Sequence, residues 1–170
     1  MAEINGRDGP ILRPTMAFMR SHWAHVIALG FGTGLSRFAP GTVGTLLAFP
    51  IYWLATAIVP PWVVLAAVPF LFALGVWACG ITGRNLGIHD HSGMNFDEIV
   101  ATLLILVFTP AGWGWQALAF FAFRFFDVVK PPPVRYYDQS VKGGFGVMLD
   151  DILAAGYTLL TIALVKYLLG

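Results

Sequence analysis

Asp97 and Glu98 stand side by side in FDEIVA (96–101), and Asp150 with Asp151 repeats the arrangement in LDDILA (149–154). Adjacent carboxylates repel, and a nearby cation relieves the repulsion. Between the two pairs, FRFFDVVK (123–130) sets Arg124, Asp127 and Lys130 three residues apart. That spacing puts all three on one stripe of a helix otherwise made of Phe and Val. Ionisable side chains in so apolar a helix are costly and mark candidate functional sites. Asp97, Glu98, Asp127, Asp150 and Asp151 together offer five carboxylates from three helix ends. Hard oxygen donors of this kind suit Mg²⁺ or Mn²⁺, whereas zinc favours His and Cys. His89 and His91 have no second matched pair and read as loop residues. Each motif alone has a plainer explanation. Acids oppose the macrodipole at helix starts, and Lys130 can snorkel to headgroups.

A fourth stretch, GTGLSRFAPGTVGT (32–45), leads into an apolar run. Backbone N–H groups near Gly41 and Thr42, with the hydroxyls of Thr42 and Thr45, could face an anion there. Arg37 would add a permanent positive charge. No Gly-Lys-Ser/Thr follows, so this is not a Walker loop; its glycines would equally serve close helix packing. A carboxylate-bound divalent ion, Arg124 and Lys130 as cations, and a Gly/Thr cradle describe phosphoryl chemistry on a membrane-resident substrate. Water and a carboxylate both stay open as the nucleophile.

The elements that must position these groups are strongly apolar. The chain is 58% hydrophobic and 11% charged, against roughly 25% charged in a typical soluble domain. No charged residue occurs from 38 to 83 or from 99 to 123. These values predict an all-α integral membrane protein, a bundle of about five short apolar helices plus an N-terminal interfacial helix. A net charge of +1, without basic clusters, argues against nucleic acid as a partner. The single Cys79 excludes an internal disulfide.

Residues 1–15 read as a flexible polar tail and 16–170 as one helical membrane domain. The interfacial helix is expected over 16–29 and an irregular segment over 30–45. Apolar helices are expected over 46–59, 62–78, 96–108, 115–129 and 150–169, with loops at 79–96 and 130–149. Pro60-Pro61, TPAGWG (109–114) and PPP (131–133) supply the breaks. With the basic N-terminus in the cytoplasm, five alternating spans bring Arg84, Lys130, Arg135 and Lys142 inside, as the positive-inside tendency requires. Seven of the nine acids then share that face. A small transporter using the carboxylates as a cation or proton relay is the alternative reading; it expects acids near mid-span. The sequence leaves a homo-oligomer open.

Four blocks, GFGTGLSRFAPGTVGTLLAFP, FDEIVA, FRFFDVVKPPPVRYYD and GGFGVMLDDILA, resemble in order the signatures of the phosphatidylglycerophosphatase A family. The resemblance covers most of residues 30–156. It implies a Mg²⁺-dependent phosphatase that converts phosphatidylglycerophosphate to phosphatidylglycerol at the bacterial inner membrane, with the phospholipid presented by the bilayer. The family's acidic pairs fall on Asp97-Glu98 and Asp150-Asp151. Its Arg, Asp and Lys fall on Arg124, Asp127 and Lys130, and its downstream acid on Asp138. Ala101 and Ala155 stand where the family usually has glycine, and Arg37 where it often has proline.

Overall fold

A computed structural model describes residues 13–132 and 134–169, without the side chain of Asp138. Most of the expected tail, residues 1–12, lies outside the described residues. Among those described, the regular structure is entirely helical, as an all-α chain requires. The segment expected as one interfacial helix is two, α1 (Met16–Ser21) and α2 (Trp23–Ala28), broken at His22. His22 adopts extended backbone angles, and its Nδ1 accepts from the Ala24 N–H at 3.0 Å, so the break is itself a cap.

The Gly/Thr segment divides rather than staying irregular. A 3-10 helix over Gly30–Leu35 is interrupted at Phe31 and Gly32, whose φ values are 58° and 106°. Helix α3 (Pro40–Thr56) then begins six residues earlier than its apolar run suggests. Pro40, with its φ already set for a helix, occupies the first turn. Gly41, Thr42 and Thr45 are therefore helical. The Thr45 hydroxyl donates to the Gly41 carbonyl at 3.0 Å, so it is spent within the helix.

Helix α4 (Pro61–Leu86) runs through residues expected in a loop and stops at Gly87, whose φ of 73° suits glycine. Helices α5 (Phe96–Phe108) and α6 (Trp113–Val129) lie close to their expected bounds. A short α7 (Val134–Ser140) occupies the expected loop, and α8 (Gly143–Leu169) starts seven residues before Asp150. Close packing explains that early start. A Cβ on Gly144 would collide with the Val76 carbonyl and the Gly80 nitrogen of α4. Overpacking of this kind costs about 1–3 kcal/mol. Glycine here joins two helices instead of turning the chain.

At 26 and 27 residues, α4 and α8 are long and apolar enough to cross a membrane. Helix α5 is the centre of the bundle. Its residues from Phe96 to Leu103 are all buried, and it packs against α3, α4, α6 and α8. Gly41 and Gly44 of α3 lie against Glu98 and Asn95, so α3 and α5 start at one end. Helix α6 finishes there, with Arg124 on Glu98. Gly75 and Gly144 pack on Met148 and Val76, making α4 and α8 antiparallel. Three helix starts and two helix finishes thus gather at one end of the molecule.

Candidate active site

That end holds the acidic pairs. Asp97 and Glu98 occupy the first turn of α5, where carboxylates are favoured. The Glu98 backbone N–H donates to Asp97 Oδ1 at 3.0 Å. Asp151 repeats this on α8, its N–H donating to Asp150 Oδ1 at 3.1 Å. In each pair the first acid is held by the backbone of the second, which frees the second to point elsewhere. The two pairs differ in depth. Asp150 and Asp151 lie in the third turn of α8, about 10 Å from its start, not at the helix threshold. Seven helical residues precede Asp150, so both acids lie below the start of α8.

The structure sorts the five candidate carboxylates. Ligand oxygens of Asp97, Glu98 and Asp151 fall within 4.8 Å of one another. Asp127 and Asp150 instead meet cations. Arg124 Nη1 lies 2.6 Å from Asp127 Oδ2 and 3.6 Å from Glu98 Oε1, and Lys130 Nζ lies 2.5 Å from Asp150 Oδ2. Asp127 remains beside Asp151, so the group is continuous. Asp97, Glu98, Asp150 and Asp151 are between 3% and 9% exposed, which removes most of the water that could stabilise their charge.

Five carboxylates against two cations leave three formal negative charges in excess. Glu98 Oε2 and Asp151 Oδ2 are buried without a hydrogen-bond partner. Buried polar atoms are rarely left so, because an unmet group costs about 1–3 kcal/mol. Clustered carboxylate oxygens with orphaned lone pairs fit a hard divalent cation.

Gly41 brings α3 into the same place. A Cβ there would overlap Glu98 Oε1 and come within 3.2 Å of the Arg124 guanidinium. Thr42 is half-buried beside it, whereas Arg37 is exposed in the linker before Pro40. Asp138 lies on α7, with its side chain outside the described residues.

Asn95 and Tyr157 were not singled out from sequence. Asn95 is fully buried before α5, and its Nδ2 donates to the Pro40 carbonyl at 2.7 Å and to Thr33 Oγ1 at 2.9 Å. It ties the starts of α3 and α5 together. An Asn directly before FDE is a visible cap signal, but its real partners are 55 and 62 residues away. Tyr157 donates to the Pro132 carbonyl at 2.6 Å and stacks on Phe126. It fixes the end of α6 where Lys130 takes a φ of 47°.

An all-α bundle with an apolar exterior, and with hard oxygen donors and paired cations at one end, has the inventory of a membrane-type phosphoryl-transfer protein. The phosphatidylglycerophosphatase A family matches residues 26–166, and the chain belongs to that family, whose members are phosphoric monoester hydrolases. A phosphatidylglycerophosphatase A of Haemophilus influenzae is 38% identical over 84% of this chain and 88% of its own length. The Escherichia coli K12 protein of the same name is 41% identical over 80% of this chain and 78% of its own. A Bacteroides thetaiotaomicron protein, 41% identical over 85% of this chain and 94% of its own, is named provisionally as a phosphatidylinositol-3-phosphatase. No solved structure matches.

Proposed function

We propose that the chain is a Mg²⁺-dependent phosphatidylglycerophosphatase, a multi-pass protein of the bacterial cytoplasmic membrane with its site facing the cytoplasm. It would hydrolyse the phosphomonoester of phosphatidylglycerophosphate to phosphatidylglycerol and phosphate. The observation that carries this reading is the buried Asp97–Glu98–Asp151 group, with two orphaned oxygens beside two paired cations.

Asp97, Glu98 and Asp151 would hold the ion. When bound, Mg²⁺ supplies Lewis acidity toward phosphoryl oxygen and makes a water easier to ionise. Arg124 and Lys130 neutralise the monoester by exchanging carboxylate oxygens for phosphate oxygens, which keeps each cation paired throughout. Their present partners, Asp127 and Asp150, hold both side chains in position before substrate arrives. The missing Cβ of Gly41 lets the start of α3 pack directly against Glu98 and the Arg124 guanidinium, which brings α3 to the edge of the group. Thr42 follows at the start of α3, and Arg37 and Asp138 would belong to the outer approach to the group. A carboxylic acid of the group protonates the departing glycerol oxygen. The acyl chains stay in lipid against the exposed apolar faces of α6 and α8, where Phe121, Phe125, Leu160 and Leu164 project.

The test is phosphate release from phosphatidylglycerophosphate by protein reconstituted in vesicles. Release should require Mg²⁺, stop on chelation and return when Mg²⁺ is restored. A parallel arm with phosphatidylinositol 3-phosphate reads the headgroup preference on which the relatives' names differ. No release from phosphatidylglycerophosphate with Mg²⁺ present overturns the reading.

A further inference from the structure

Chemistry at the carboxylates engages only one end of a phosphoglycerol headgroup. The other end is a phosphodiester, joined to the scissile monoester through three carbons, the middle one hydroxylated. Bond lengths near 1.5 Å put the two phosphorus atoms roughly 6–7 Å apart. A second polar subsite is therefore required at about that distance from the first.

The structure has a pocket one helical turn along α8 from the acids. A cavity of about 250 Å³ opens between the loop after α4 and the junction of α7 with α8. Its lining includes His89 and Asp90 on one wall, and Lys142, Gly143, Gly146 and Val147 on the other. Gly146 and Val147 stand four residues before Asp150 and Asp151 on α8. Those spacings put these two lining residues on the face of α8 that carries the acids, one turn or about 6 Å along the helix from them. The opposite wall belongs to the loop that joins α4 to α5, with Asp90 seven residues before Asp97.

The lining is chemically mixed in a useful way. His89, Asp90 and Lys142 are exposed, so their polar ends meet whatever enters from outside. Lys142 offers an ammonium to an anion, and His89 a ring nitrogen. Asp90 is wrong for a second phosphate alone but right for a hydroxyl, which it can accept from.

We propose that this pocket is the subsite for the phosphodiester half of the headgroup. Lys142 pairs with the diester, and Asp90 accepts from the hydroxyl between the two phosphates. The inference rests on the lipid phosphatase reading above and makes Lys142 a specificity-determining residue.

Binding can be read without turnover, using methylenephosphonate analogues that resist hydrolysis. One analogue mimics the deacylated headgroup, with its diester; the other mimics glycerol 3-phosphate, without it. Calorimetry on the detergent-solubilised full chain with Mg²⁺ should show the diester-bearing analogue binding about ten-fold tighter, as expected for one charge-assisted contact. Lys142→Ala should erase that preference, and Lys142→Arg should keep it. The affinity for the glycerol 3-phosphate analogue should be unchanged in both variants, which also shows that they fold. A preference that survives in Lys142→Ala overturns the subsite, as does a wild type that prefers neither analogue. Failure of the function itself appears separately, as absent phosphate release from the lipid by wild type.

Discussion

Asp150 and Asp151 are neighbours in sequence but not in circumstance. Lys130 meets Asp150 at 2.5 Å, while Asp151 joins Asp97 and Glu98 and keeps one buried oxygen unmet. The two positions should therefore fail differently when neutralised. Asp151→Asn would remove a donor to the proposed ion, and we expect kcat to fall about 100-fold or more, with a raised Mg²⁺ requirement. Asp150→Asn leaves Lys130 without its carboxylate, so the larger change should be in KM for the lipid. Steady-state kinetics over a Mg²⁺ series separates the two; the opposite pattern would show that the pair is assigned the wrong way round. The residue types were legible in sequence, since the acids, Arg124 and Lys130 all come from FDEIVA, FRFFDVVK and LDDILA. The division of labour was not, because it depends on which carboxylate each cation reaches across helices.

At the scale of elements, clustered prolines were the reliable signal, whereas the single Pro50 and Pro69 lie inside α3 and α4, and glycine misled. Pro61 and Pro131 bound α4 and α6 as their rigid rings require. Gly41 and Gly144 look like loop residues in sequence, yet both lie in helices, where they admit Glu98, Arg124 and the α4 backbone. Local pattern cannot show such contacts, because the partner is 57 or more residues away for Gly41 and 64 or more for Gly144. The same applies to α2. His25 is buried, stacked on Phe18, with Nδ1 2.9 Å from Thr82 Oγ1 and Nε2 3.2 Å from Asn85 Nδ2. A neutral ring satisfies both contacts, one nitrogen donating and the other accepting. Burial, and then the nearby His22, lower its pKa below the ordinary 6.5. The unfolded chain consequently binds the proton first as pH falls, so this anchorage is complete above about pH 6.5 and weakens below it. Between pH 7.5 and 5.5 the melting temperature of detergent-solubilised wild type should fall relative to that of His25→Gln, which cannot titrate and starts lower. An unchanged slope in that variant would remove His25 from the account.

The whole molecule has two unlike ends. Arg84, Asp90, Lys130, Arg135 and Lys142 lie at the end that holds the carboxylates, whereas the turns at 57–60 and 109–112 carry no charge. Between them, large apolar side chains such as Leu54, Phe70, Phe121 and Leu164 face outward, an arrangement that water penalises and lipid accepts. Helix α5, with 13 residues, is about 20 Å long and is wrapped by its neighbours, so lipid need not cover it. Because α3 and α4 run in opposite senses, as do α5 and α6, a bilayer across the apolar belt would hold the two ends in different compartments. The positive-inside tendency favours the cytoplasm for the cationic end, the orientation proposed above. Single cysteines can test this, since the native Cys79 is buried and should contribute little background. Ile58→Cys lies in the uncharged turn after α3, at a position 85% exposed. Gln139→Cys lies on α7, also exposed. A membrane-impermeant maleimide should label Ile58→Cys in spheroplasts and Gln139→Cys only in inverted vesicles. Labelling of both from one side contradicts a bundle that separates its ends across the membrane. Labelling in the reversed order keeps that separation but puts the phosphatase site outside the cell.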